Sequence, residues 1–230
     1  GVRPETKLAK EAGLALGKLG GISVDDYLRT SDENIYALGD AIEVNHLVTG
    51  KKAMIPLAGP ANKQGRIVAD NIIFGNHSTY KGSMGTSVAK ICDLTVAAAG
   101  ANAKLLKREG IPYIASYTHG ASHASYYPGS AMLSTKILFS PDNGRLLGAQ
   151  VVGYKGVDKR IEMLAQTIER QGTIYDLTEL EHAYAPPYAS AKDPVNMAGF
   201  VAENILRGKA RIIHWRDIAS LPEGTTRIDV

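Results

Sequence analysis

Two short stretches of this 230-residue chain combine residue types that could hold a ligand, Thr30-Ser31-Asp32-Glu33-Asn34-Ile35-Tyr36-Ala37-Leu38-Gly39-Asp40 and Ile55-Pro56-Leu57-Ala58-Gly59-Pro60-Ala61-Asn62-Lys63-Gln64-Gly65-Arg66. The first reads as a polar turn and a short apolar strand over 35–38. Gly39 then lets the backbone approach something closely before the Asp40 carboxylate appears at the strand end, placed to accept from a sugar or polyol hydroxyl. The second reads as the proline-marked start of an amphipathic helix over 57–74, stopped by Gly75-Asn76. Small residues on its first turn leave backbone N–H groups and a partial positive charge for an electron-rich ligand atom.

A third stretch is Glu181-His182-Ala183-Tyr184-Ala185-Pro186-Pro187-Tyr188-Ala189-Ser190-Ala191-Lys192-Asp193. Its prolines hold it extended, so the tyrosines present their hydroxyls to a neighbour instead of entering a core. The pair His119 and His123, four apart, would suit a metal only on a helix face. Gly120, the serines and Tyr126-Tyr127-Pro128-Gly129 argue against a helix and no acidic or cysteine ligand joins them, so no metal is expected. The single cysteine, Cys92, cannot form an internal disulfide. Its setting, 89–97, reads as the approach to a buried strand, where a thiol behaves as a small hydrophobe; no base accompanies it locally.

Composition narrows the classes. The chain is 44% apolar, enough for one large or two modest cores, and its formal charge of +3 arises from 26 basic and 23 acidic residues with no basic tract of the kind nucleic acid demands. No run of 18 apolar residues exists to span a membrane, and no leader pattern opens the chain. One unpaired cysteine is consistent with a reducing cytoplasm.

The elements that must position these residues divide in two. A short helix over 6–11 and a strand over 21–24 lead into the Asp40 stretch, and 82–85 marks a boundary. Beyond it come a strand over 94–99, a helix over 102–109 closed by Gly110, and strands over 113–117, 132–139 and 146–152. Pro141-Asp142-Asn143-Gly144 reverses the chain between the last two. A helix over 157–170 carries Val157, Ile161, Leu164, Ala165 and Ile168 on one face. Asp193-Pro194 caps another over 195–207, stopped by Gly208.

The ordered pair of Gly-Asp and small-residue helix start resembles the second flavin-contacting segment of the FAD-dependent pyridine nucleotide-disulfide reductases. The match is to the branch with coenzyme A-disulfide reductase, NADH oxidase and NADH peroxidase. The resemblance implies an α/β remnant of an FAD-binding domain over 1–80, then an α+β interface, or dimerisation, domain over 81–208 with an antiparallel sheet and helices packed on one side. Residues 209–230 resemble a linker and the first strand of a rhodanese domain, whose opening strand commonly ends in Asp-Val; a docked terminal strand is the plain alternative. Gly-x-Gly-x-x-Gly occurs nowhere in the chain, so the resemblance implies a C-terminal portion of an enzyme whose phosphate loops and redox cysteine lie elsewhere.

By the same resemblance Gly39 and Asp40 would hold the flavin's ribityl chain. The N–H groups of Leu57 and Ala58 would face its pyrimidine edge, with Asn62 near coenzyme A. The branch's Tyr-Ala-Pro-Pro-Tyr pattern makes Tyr184 the residue that reaches the flavin and disulfide of the partner subunit, and Lys192 the contact to anionic coenzyme A. Tyr126 or Tyr127, with spacing favouring Tyr126, would line the same pocket, paired across the dimer with Tyr184. The implied activity is electron transfer from NADH or NADPH through FAD to coenzyme A disulfide or persulfide, by a homodimer. An NADH oxidase or peroxidase, and a non-catalytic dimerisation module, are the competing readings.

Overall fold

The computed structural model describes residues 2–228. The first part of the chain is sparsely regular. Helix α1, Lys7–Glu11, is followed by a long irregular run closed by a 3-10 turn, Gly39–Ala41. The strands expected over 21–24 and 35–38 are absent as ladders. Ile22 makes one parallel bridge to Ile42, and Arg29 one antiparallel bridge to Tyr36. An isolated bridge forms where no adjacent segment runs alongside long enough to continue the pairing.

A two-residue hairpin, β1 (Val44–Asn45) and β2 (Lys52–Ala53), leads to helix α2, Ala58–Phe74. The core here is small, with Ile22, Leu28, Ile42, Val44, Val68 and Tyr80 buried together. Within it, the Glu43 carboxylate is buried and accepts from the Leu19 and Gly21 N–H groups, which pins the loop before Ile22. Ile72, Ile73 and Phe74, at the end of α2, are exposed.

The second part is a five-stranded antiparallel sheet in the order β3-β4-β7-β6-β5. Its strands are β3 (Ser87–Ile91), β4 (Leu94–Gly100), β5 (Ile114–Ala121), β6 (Met132–Phe139) and β7 (Leu146–Gly153). Helix α3, Ala103–Arg108, connects β4 to β5 and is capped by the Asn102 side chain, which accepts from the Leu105 N–H at 2.9 Å. After β7 come α4 (Val157–Glu169), α5 (Ile174–Glu179) and α6 (Pro194–Leu206). Alternation along β6 and β7 sends Leu133, Ile137, Phe139, Ala149 and Val151 to one face. There they meet Ile161, Leu164 and Ala165 of α4 and Val195, Ala198 and Ala202 of α6. Each fully buried large aliphatic in this layer is worth roughly 1.5–3 kcal/mol over exposure.

Helices therefore lie on one side, as expected, except that Leu106 of α3 covers Leu138 and Leu147 at one end of the opposite face. The hairpin between β6 and β7 turns at Gly144, whose φ of +73° needs a glycine. Past Gly208 the described tail holds a 3-10 turn, Trp215–Ser220, and no strand. The Asp229-Val230 ending read as a strand end lies outside the described residues. No helix among the described residues is long and apolar enough to cross a membrane.

Candidate functional site

The residues expected at the flavin form one locus, apart from Tyr184. Gly39 opens the 3-10 turn with φ +75°, and its N–H donates to the side-chain oxygen of Gln64, buried on α2, at 2.7 Å. That bond fixes the turn against the helix start. Asp40, next on the turn, is exposed, and its carboxylate makes no hydrogen bond or ion pair among the described residues.

Helix α2 starts at Ala58, with Leu57 as its extended N-cap residue. The Leu57 N–H turns back to the Ile55 carbonyl at 2.9 Å, so it is spent inside the turn around Pro56 and is not the donor the sequence suggested. The free donors among the described residues are the N–H groups of Ala58 and Gly59; Pro60, third in the helix, has none. Asn62 is exposed and donates to the Ala58 carbonyl at 2.9 Å. Two unpartnered N–H groups at the positive end of a 17-residue helix, beside a free carboxylate and a glycine without Cβ, fit a flavin's pyrimidine edge and polyol chain.

The tyrosines form a second locus, on two loops of the sheet domain. Residues 122–131 connect β5 to β6, and residues 181–193 run from α5 to α6. The Ala124 N–H donates to the Ala189 carbonyl at 3.0 Å, joining the loops. Across this junction Tyr184 is the nearest influence on Tyr126 and the main reason its phenol is held above its usual pKa. The Ala124–Ala189 bond draws the two loops of one chain together locally, whereas the sequence suggested pairing across a dimer. Tyr127 instead packs edge-on against the buried His123, ring centres 6.0 Å apart, which separates its role from that of Tyr126.

Lys192 is exposed and makes no ion pair among the described residues. Beside it Asp193 is buried, caps α6 by accepting from the Val195 N–H, and is paired with the equally buried Arg160 of α4 at 2.7 Å. His182 has a buried Nε2 with no hydrogen-bond partner. Burial depresses its pKa, Asp193 works against that shift, and Lys159 and Arg160 add to it. No hydrogen bond among the described residues links this locus to Asp40 or Ala58 within one chain.

The remaining candidates separate. His119 is exposed on β5 and hydrogen-bonds with Ser134 at 3.0 Å, whereas His123 bonds Ser122 and the Pro128 carbonyl beyond the strand end. No cluster of three metal-ligating side chains occurs among the described residues. Cys92 is exposed, at the tip of the β3–β4 hairpin with φ +51°. Its expected burial is overturned because the strand begins two residues later and the cysteine makes the turn. Arg160 was not anticipated as a functional residue. Its signal was a charged residue three after Val157, inside the apolar stripe of α4.

Residues 1–65 match the pyridine nucleotide-disulphide oxidoreductase family, and residues 86–194 match the dimerisation domain of the same family. The chain belongs to the pyridine nucleotide-disulphide oxidoreductases, a family of FAD- and NAD(P)H-dependent enzymes. Among solved structures it is similar to the reduced CoADR-RHD of Bacillus anthracis, 52% identical with a TM-score of 0.92, the alignment covering 96% of this chain and 40% of that one. It is also similar to a NAD-dependent persulfide reductase from A. fulgidus, at 42% identity and a TM-score of 0.87, covering 90% and 39%. The coenzyme A disulfide reductase of Staphylococcus haemolyticus is 36% identical over 205 residues, 89% of this chain and 46% of the relative. The chain thus spans less than half the length of these relatives.

Proposed function

We propose that this chain supplies the pyrimidine edge of an FAD site, and the tyrosine-bearing half of a disulfide site, to a homodimeric flavoenzyme that reduces coenzyme A disulfide with NADH or NADPH. Coenzyme A persulfide or polysulfide is an equivalent acceptor, and the cytoplasm its compartment. The observation that carries the reading is the Ala124–Ala189 bond, which sets the loop bearing Tyr126 against the loop bearing Tyr184 and Lys192.

FAD held at this locus would supply two-electron transfer between the nicotinamide and the disulfide. Asp40 would accept from a ribityl hydroxyl, and the Ala58 and Gly59 N–H groups would donate to the pyrimidine edge, favouring negative charge there. Breaking the S–S bond releases a thiolate that must take up one proton. Tyr126, a phenol protonated at neutral pH, donates a hydrogen bond or that proton to the departing sulfur. Lys192 neutralises phosphate on the coenzyme A moiety, and the sulfur nucleophile is a cysteine other than Cys92. The 209–230 segment, on this reading, leads toward a rhodanese domain.

The test uses the complete enzyme. Tyr126→Phe and Tyr184→Phe should each lower kcat for coenzyme A disulfide about 10- to 100-fold, at or below the low end of the roughly 100- to 10,000-fold range of acid catalysis. Unchanged turnover in both would overturn the roles. Oxygen or peroxide consumption insensitive to both substitutions would support the oxidase or peroxidase reading instead. The 230-residue chain by itself should purify as a colourless dimer, since it has no phosphate loop to retain FAD; a yellow protein would contradict that expectation.

A further inference from the structure

We propose that the buried Arg160–Asp193 pair is a positioning clamp that holds the Tyr126 loop and the Tyr184–Lys192 loop in register with each other. The clamp's relevance to catalysis rests on the reductase reading above, whereas its geometry does not.

Arg160 is 1% exposed and Asp193 fully buried. The guanidinium faces three segments at once. Nε and Nη2 donate to the two Asp193 carboxylate oxygens at 3.2 and 2.7 Å, Nη2 also donates to the Ser122 carbonyl at 2.8 Å, and Nη1 to the Gly156 carbonyl at 3.3 Å. Ser122 opens the loop that carries Tyr126, and Asp193 closes the loop that carries Tyr184 and Lys192. Each anchor is fixed in its own loop. The Ser122 N–H donates to the Ala131 carbonyl and the Ala131 N–H donates to the Ser122 hydroxyl, while Asp193 caps α6 and its N–H donates to Asn196. The direct tie between the loops, from the Ala124 N–H to the Ala189 carbonyl, is a single backbone bond.

Burying two charges is costly, and an apolar pair of similar volume often serves stability as well or better. The fork on Asp193 together with a donor left for Ser122 adds geometry that an apolar pair cannot supply. Arg160 sits on the rigid helix α4, so it references both loops to the sheet core. Lys155, two residues before α4, adds a tether by donating to the Gly129 carbonyl at 2.8 Å.

The test reads loop register through the Tyr126 phenol, in the full 230-residue chain with carbon-13-labelled tyrosine, Tyr126→Phe serving for assignment. Removing one charge alone can unfold the domain, so the deciding variant is Arg160→Met with Asp193→Asn, which leaves no unpaired charge and keeps a capping oxygen. The clamp predicts that the Tyr126 titration midpoint falls towards the ordinary value of about 10, with Arg160→Lys intermediate. A folded double variant with an unmoved midpoint overturns it. An unfolded double variant also overturns it, since the pair would then hold the domain and not its loops. Neither flavin nor substrate enters this readout; failure of the complete enzyme to reduce coenzyme A disulfide would sink the functional reading and leave the clamp standing.

Discussion

The two parts of the chain bury themselves very differently. The sheet domain gathers nineteen buried residues into one layer between sheet and helices, whereas the part before it has six around one helix, and exposes Ile72, Ile73 and Phe74 on that helix. The tyrosine locus stands on the thick core, and the flavin-edge locus on the thin one. A locus on the thick core is positioned by packing and buried ion pairs. On the thin core, single polar contacts such as the Gly39–Gln64 bond carry the geometry.

The sharpest way to break this contrast is truncation in each core. Leu164→Ala, fully buried on α4, should cost about 3–5 kcal/mol by urea denaturation, and Ile42→Ala nearer 2, because the small core can collapse around the gap. Equal costs would mean the two parts are equally consolidated. Next in size, Gly39→Ala should cost about 1–2 kcal/mol, since φ is +75° while the nearest atom to a new Cβ, on Ala61, leaves ordinary room. In the complete enzyme the same change should weaken FAD retention; tight FAD with a full thermal cost would confine the glycine to a folding role.

Acid should separate the parts more gently. His46, buried beside β1 with its Nδ1 accepting from the Val48 N–H, and His182 in the sheet domain both have pKa values pushed below the ordinary 6.5, burial being the main cause. A depressed folded-state pKa gives stability that is complete above 6.5 and is lost as pH falls from there through the folded value. The urea midpoint should therefore be lower at about pH 5.5 than at 7.5, and His46→Gln should flatten that difference more than His182→Gln, His46 being the more buried. The reverse order would place the acid-sensitive joint in the sheet domain. The smallest effect is expected at Cys92→Gly, a gain below about 1 kcal/mol, as relief of a positive φ is partly offset by backbone entropy.

Legibility followed how local the signal was. Asn143-Gly144, Asp193-Pro194 and the Gly110 stop each write an element boundary into adjacent residues, and β6, α6 and α3 lie where those signals put them. Helix α5 carries an equally local signal, the Thr173-x-x-Asp176 capping box with the Asp176 carboxylate on the Thr173 N–H at 2.6 Å, but at six residues it is too short to show an apolar period. The β3–β4 hairpin has no glycine or asparagine at its turn to announce it, so in the sequence β3 runs on into the approach to β4. Tyr126 and Tyr184 are 58 positions apart, and nothing in their spacing says whether they meet within a chain or between two. The Ala124–Ala189 bond, which draws their loops together within one protomer, belongs to the fold and not to that spacing.

The cysteine at the hairpin tip has a practical side. As the chain's only thiol, standing clear of the surface, it accepts one fluorophore or spin label per protomer without any mutagenesis. In a dimer the separation of two such labels becomes a ruler for how the subunits sit together. The same accessibility carries a hazard, because air oxidation can stitch two chains through it. A band of doubled mass on a non-reducing gel would then report storage conditions and not the biological assembly.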